Sequence, residues 1–204
     1  TYVFSQSSGT YTPIIGGTVV ASSTAALTLD SEVFSALPIG FTFTYNGADY
    51  TTFGMNVNGW ISMGSTAPIN TSTPISGGST NNTISAISGD LYGRQFITAN
   101  TTSGSAVVTM TAGSLLGVSV GDAVTGTGIA TGATVLSISG STVTLSANST
   151  TTGTGRNIRF HNGTVRYETV GTSPNRTLVV QFSKFSRYNT AAPSDYMNFQ
   201  IRLN

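Results

Sequence analysis

Cysteine is missing from the sequence, so neither a disulfide framework nor a thiolate metal site is available. That absence does not point to the cytosol, because many bacterial surface proteins manage without disulfides. Charge is scarce: Asp, Glu, Lys and Arg make up 7% of the chain, against a usual figure of about 25%. No basic residue precedes Arg94, so residues 1–93 carry −4 from Asp30, Glu32, Asp49 and Asp90, and the remainder carries +5, for the net +1. The Lys and Arg residues are scattered singly, with no cluster or basic helix, which argues against nucleic acid as a partner. Opposite-signed ends favour head-to-tail contact between copies. No apolar run reaches the 18 or so residues of a membrane span, and no leader is visible after Thr1, as expected of a processed chain or a fragment. A single histidine, His161, excludes a His cluster or a relay of several His; beside Asn162-Gly163 it reads as a turn residue.

Hydroxyls stand where charges usually would. Ser and Thr number about 62 of the 204 residues, Thr favouring strands and Ser favouring turns. Hydrophobic residues make up 38%, and in alternating runs they supply enough burial to offset the entropy of ordering. The exterior is therefore solvated by hydroxyls and amides, with little charge repulsion to hold copies apart.

Alternation runs through the chain. Met197, Phe199, Ile201 and Leu203 fall on one face and Asn198, Gln200, Arg202 and Asn204 on the other, the period of a half-buried strand with an edge that another chain can pair with. Phe41–Tyr45 alternates into Asn46-Gly47, a tight hairpin signal, and Phe53, Met55 and Val57 continue to a second turn at Asn58-Gly59. Trp60, Ile61 and Met63 start a further strand, Val165 and Tyr167 mark another, and Leu178–Phe185 another; residues 64–83 read as a long loop. Tyr45 and Tyr50 flank the first turn as a cross-strand pair. Only Ser31–Leu37, with Phe34 and Leu37 three apart, predicts so much as one helical turn. Short strands parted by turns indicate an all-β, two-sheet β-sandwich of jelly-roll type.

Residues 103–158 differ in texture. They hold no aromatic residue and, of charges, only Asp122 and Arg156, and inside them Thr134–Ser139 and Thr142–Ala147 flank a Gly140-Ser141 hairpin turn. The expected organisation is a host sandwich of residues 1–102 and 159–204 with a small β module, 103–158, inserted into a surface loop.

The runs Tyr45–Gly64, Tyr2–Pro13 and Arg166–Phe182 together resemble a β-sandwich domain found near the start of large secreted and surface proteins of Bacteroidetes-type bacteria, over roughly residues 1–95 and 160–204. Gly126–Val135 is similar to a Gly/Thr-rich module of bacterial and phage surface proteins. The resemblance implies a secreted, cell-surface domain with no single agreed activity. It also implies that the strand matching 197–203 runs on into a further strand, one supplied from elsewhere if it is not in the same chain.

Chemistry-bearing residues are few. The acids are spread widely, with Asp30 and Glu32 the only close pair, and no nucleophile elbow or phosphate-binding loop appears, so no enzymatic activity is expected. Asp30, Glu32, Asp90 and Asp122 offer oxygen atoms of the kind Ca²⁺ takes, but no Asp-x-Asp-x-Asp loop arranges them, and no cofactor is expected. The six Asn-x-Ser/Thr sequons carry no message in so hydroxyl-rich a chain. Trp60, Tyr92 and Tyr188 are the aromatic candidates for stacking on a sugar. Tyr2, Val3 and Phe4, large and β-prone, are candidates to donate a strand to the groove beside Met197, Phe199, Ile201 and Leu203 of another copy. The reading is thus of an extracellular structural protein that polymerises with itself by strand exchange. The alternative is an adhesive or carbohydrate-binding module, with a glycan or a host cell surface as partner.

Overall fold

A computed structural model describes residues 3–75, 80–188 and 195–204. Among them there is no helix, and every strand pairing is antiparallel. The chain is an all-β protein built as a β-sandwich. One sheet orders β1 (Thr18–Ser22), β13 (Thr164–Thr172), β14 (Asn175–Arg187) and β15 (Met197–Leu203), with the short β6 (Leu91–Tyr92) on the far end of β14. The facing sheet orders β2 (Val33–Tyr45), β3 (Ala48–Asn56), β4 (Trp60–Met63) and β5 (Thr83–Ser85). Alternate residues of both sheets meet in one core holding Phe53, Met55, Ile61, Val180, Phe182, Ile201 and Leu203, all buried. Phe182 and Phe199 are register partners across β14 and β15 and stack with ring centroids 4.7 Å apart.

Each sheet is also covered on its outer face. The arm 10–16 crosses β13, β14 and β15: Ile14 N–H donates to Gln181 Oε1 (2.8 Å), Gln181 Nε2 donates to the Ile14 carbonyl (3.2 Å), and Gln200 Nε2 donates to the Thr12 carbonyl (2.9 Å). Over the other sheet the loop after β4 supplies carbonyls to Asn56 Nδ2, from Ile69, and to Trp60 Nε1, from Thr71, each at 3.0 Å. Trp60 is fully buried beneath it.

A second core lies in a six-stranded sheet ordered β10 (Val135–Ser139), β11 (Thr142–Leu145), β8 (Val107–Ala112), β7 (Arg94–Thr101), β12 (Gly153–His161), β9 (Ala123–Gly126). Its ends meet: Gly121 N–H donates to the Val135 carbonyl (2.8 Å), Val135 N–H to the Asp122 carbonyl (3.0 Å), and Val124 N–H to the Ala133 carbonyl (2.8 Å). The sheet thereby closes into a small barrel around Ile97, Val108, Val124, Val143, Ile158 and Phe160, leaving it no open edge. This barrel takes in β7 and β12, so its structural limits, Arg94 and His161, lie outside the 103–158 segment set apart by composition.

The chain enters the barrel at Gly93 and leaves at Gly163, and these two touch. Gly163 N–H donates to the Gly93 carbonyl (2.9 Å), and a Cβ on Gly163 would stand 2.4 Å from the Gly93 Cα. Only glycine permits that approach.

The turn signals hold in detail: Asn46 (φ 52°) and Gly47 (φ 78°) form the left-handed pair of the β2–β3 turn. Two local expectations are corrected. Residues 33–37 belong to β2 and are not helical: Phe34 pairs Met55 and Leu37 pairs Phe53, with a bulge between them. The extra residue of a bulge turns a two-residue spacing into three, which imitates a helical repeat. Tyr50 pairs with Phe43, and Tyr45 with Ala48, so the Tyr45–Tyr50 pair does not form across the strands.

Because Arg94 and His161 are register partners, replacing residues 95–160 by a two-residue Asn-Gly turn should leave a sandwich that still unfolds cooperatively, measured by circular dichroism melting. Loss of the folded state on excision would show that the two cores fold as one. In the sandwich core, Phe182→Ala should cost about 3–5 kcal/mol in denaturant titration, since a fully buried ring and its stacking partner are both affected.

Candidate functional site

Two places stand out as able to meet a partner or a ligand, the first of them one of several open sheet edges, since β1, β2 and β5 also end their sheets. The first is the free edge beside β15. Among the described residues β15 is hydrogen-bonded to β14 on one side and to no strand on the other. The apolar groove expected there is closed by the protein's own sheets: Ile201 and Leu203 are buried and Met197 and Phe199 half-buried in the sandwich core. The open feature is the backbone edge, together with a pocket of about 390 Å³ at its Met197 end, lined by Ile87, Leu91, Met197 and Tyr188 among others. Residues 3–9 carry no regular structure and are exposed throughout, Val3 and Phe4 at 88% and 89%. Tyr2 lies outside the described residues.

The second place is a cleft of roughly 800 Å³ between the barrel wall and one end of the sandwich. The outer faces of three neighbouring barrel strands form one side. Arg94 on β7 is the register partner of His161 on β12, and Arg159 on β12 is the partner of Thr125 on β9, so alternation brings all four side chains to that face. The other side comes from Ala25, Thr28 and Asp30 in the β1–β2 connection, from Tyr92, and from Tyr188 just after β14. Tyr92 and Tyr188, far apart in sequence, sit 5.7 Å apart at 33°. The Arg94 guanidinium lies 3.6 Å from the centre of the Tyr92 ring, a cation–π contact. Trp60, the third aromatic candidate, is corrected to a core role: the loop after β4 covers its ring and binds its N–H.

Burial dominates the electrostatics of this cleft. His161 is at the end of a strand, and the expected turn position is corrected accordingly; it is buried, with Nε2 2.8 Å from Thr125 Oγ1 and Nδ1 unpartnered. Burial, then Arg94 and Arg159, hold its pKa below the ordinary 6.5, so it is neutral at pH 7. Burial raises the Asp30 carboxyl, as do Asp90 and Glu32, against an opposing pull from Arg94. Asp122 is engaged elsewhere, accepting from Ser119 N–H (2.8 Å) and Asn162 Nδ2 (3.0 Å). Among the described residues no three His, Asp or Glu side chains converge as metal ligands. No hydrogen bond joins His161 to Asp30: Nε2 meets Thr125 and Nδ1 has no partner.

A family model described as NIDO related matches residues 1–115 and 153–204. The chain belongs to the NIDO-related family. That membership places it as an extracellular β-rich domain of the kind carried by larger proteins. The match passes over residues 116–152, which contribute β9, β10 and β11, three of the six barrel strands. No curated protein and no solved structure matches the chain. No helix is long and apolar enough to cross a membrane among the described residues.

Sequence reading singled out Tyr92 and Tyr188 but missed the polar half of the cleft. The readable signal was Arg159-Phe-His161, in which two polar side chains flank a core phenylalanine and so must share the outer face. Nothing in the sequence located Asp30 or Thr28 opposite them.

The His161 shift predicts a pH effect. The unfolded chain takes up the histidine proton first, so the stability from burying a neutral ring is present above about pH 6.5 and is lost as pH falls through that value. Asp30 acts the opposite way: its raised carboxyl favours the folded state at low pH and loses that contribution as pH rises. The melting temperature of His161→Gln should therefore fall less than that of the parent between about pH 7.5 and about pH 5.5. Parallel profiles would show that the ring carries no such penalty.

Proposed function

We propose that this NIDO-related domain is an extracellular, non-enzymatic structural unit that joins to its own copies by β-strand addition. Residues 3–9 of one copy pair with the outer edge of β15 in the next. The observation that carries this reading is that the outer edge of β15 has no strand partner among the described residues, while residues 3–9, led by the exposed Val3 and Phe4, lie outside every sheet. Main-chain hydrogen bonds along the edge supply affinity, and the pocket at Met197 takes a large side chain such as Phe4. The arm is anchored from Thr12 to Ile14 by Gln181 and Gln200, so Val3 has a reach of roughly 30 Å from a fixed point. Each large side chain buried in the joint contributes about 1.5–3 kcal/mol. Donation from one copy to the next does not close on itself, so the product is a filament on the surface of a secreting bacterium. The low charge of the chain keeps repulsion between copies small.

A second reading, an adhesive or carbohydrate-binding module of a larger secreted protein, is favoured by the cleft in which Tyr92 and Tyr188 come together beside Arg94. Negative-stain images and light scattering separate the two. The intact chain should form filaments, and a chain lacking residues 1–9 should remain folded and monomeric, because the anchored part of the arm is kept. Filaments from the truncated chain, or a monomeric intact chain at high concentration, would refute strand addition through the arm.

A further inference from the structure

We infer that the cleft between the barrel wall and the sandwich end binds a carboxylate-bearing sugar, with the Arg94 and Arg159 guanidiniums on the carboxylate and Tyr188 against the ring. This deepens the second reading above and does not depend on filament formation.

The first support is the state of Arg94. The residue is 6% exposed, its Nε is buried without a partner, and its guanidinium lies on the face of Tyr92. A buried guanidinium without a hydrogen-bonding anion is costly. Such a group in the wall of an open cleft is a donor set held ready for an anion brought from outside. The Arg159 side chain, two residues before His161, likewise makes no hydrogen bond among the described residues, and the single ion pair among them, Arg187–Asp195 at 2.6 Å, involves neither. The fork of a guanidinium matches a carboxylate with two parallel N–H donors.

Charge and shape narrow the ligand further. With His161 neutral, the groups that line the cleft are two guanidiniums and one carboxylate, Asp30, with Asp90 and Glu32 acting on Asp30 from outside the lining. That balance suits a single carboxylate and not a polyphosphate. No lysine lines the cleft, and no helix N-terminus exists among the described residues to cradle phosphates. Tyr188 is 46% exposed and offers an open ring face, braced by Tyr92 behind it. The remaining lining suits sugar hydroxyls: Asp30 accepts, Thr28 both donates and accepts, and Thr125 keeps part of its hydroxyl's capacity beside its bond to His161 Nε2. A volume of roughly 800 Å³ is in the range of small-molecule sites.

The test is calorimetric titration of the intact chain with trigalacturonic acid, with neutral galactotriose of the same length, and with a short poly-glutamate peptide. Trigalacturonic acid should bind at least about tenfold more tightly than either comparison ligand, a difference of about 1.4 kcal/mol. Arg159→Gln and Tyr188→Ala, both at partly exposed positions, should each weaken it about tenfold without lowering the melting temperature. Equal binding of the neutral sugar, with no effect of Arg159→Gln, would overturn the acidic assignment and leave the carbohydrate-binding reading standing. Equal binding of the peptide would overturn the sugar assignment. No binding of either saccharide would overturn this inference and the carbohydrate-binding form of the second reading, and would leave strand addition untouched.

Discussion

The pairing of β7 with β12 is the constraint on which the rest of this molecule depends. It runs from Arg94 opposite His161 to Thr101 opposite Gly153, and is the strand pair of the barrel that leads directly into the sandwich. At its base the chain passes through Gly93 and Gly163, whose backbones are in contact. Fixing entry and exit side by side means that the barrel adds little loop-closure cost to the sandwich. The same contact sets the barrel wall against the sandwich end at one distance, which creates the cleft. Asn162, just past β12, locks the joint: its Nδ2 donates to Gln95 Oε1 at 2.9 Å, to the Gly117 carbonyl at 3.2 Å and to Asp122 Oδ2 at 3.0 Å. A polar hub of this kind, buried at the end of the barrel, ties the 113–122 loop to both strands.

The two cores have different chemistries for a reason visible in their geometry. The sandwich has two broad faces to fill and uses aromatic rings, with Phe53, Phe182 and Phe185 all fully buried. The barrel is narrow, and its interior is filled largely by Val, Ile and Leu, with Phe160 as its one ring. Aromatic side chains are large for so small a barrel, and this accounts for the texture that set residues 103–158 apart. The family match fits the same picture, since it keeps β7, β8 and β12 and omits the stretch that supplies the other three barrel strands.

Both candidate sites arise where a local pattern is left without its usual complement. β15 has a core face that is satisfied and an edge that is not. The cleft has a wall whose inner residues fill the barrel and whose outer residues, Arg94 and Arg159, carry charge without a counter-ion in contact. Folding optimises the buried side of a strand first, because that is where the apolar area lies. The opposite side is then free to carry groups that serve a ligand or a partner.

By itself, the sequence determined the class of structure, most strands and the turns. Alternation at 197–203, the Asn46-Gly47 and Gly140-Ser141 turns, and the change of texture in the middle are local properties, readable from residues two to four apart. Where local spacing misled, a bulge had altered it, as between Phe34 and Leu37. Tertiary structure alone decided three things. It buried Trp60, because a loop from beyond β4 folded back over a face that alternation leaves open. It closed the groove at β15, because the facing sheet covered Ile201 and Leu203. And it gathered Asp30, Tyr92, Arg94, Arg159, His161 and Tyr188 from four separate stretches of chain into one cleft. Such long-range contacts are set by which strands pair and in what order, and no periodicity within a strand encodes the identity of its neighbour.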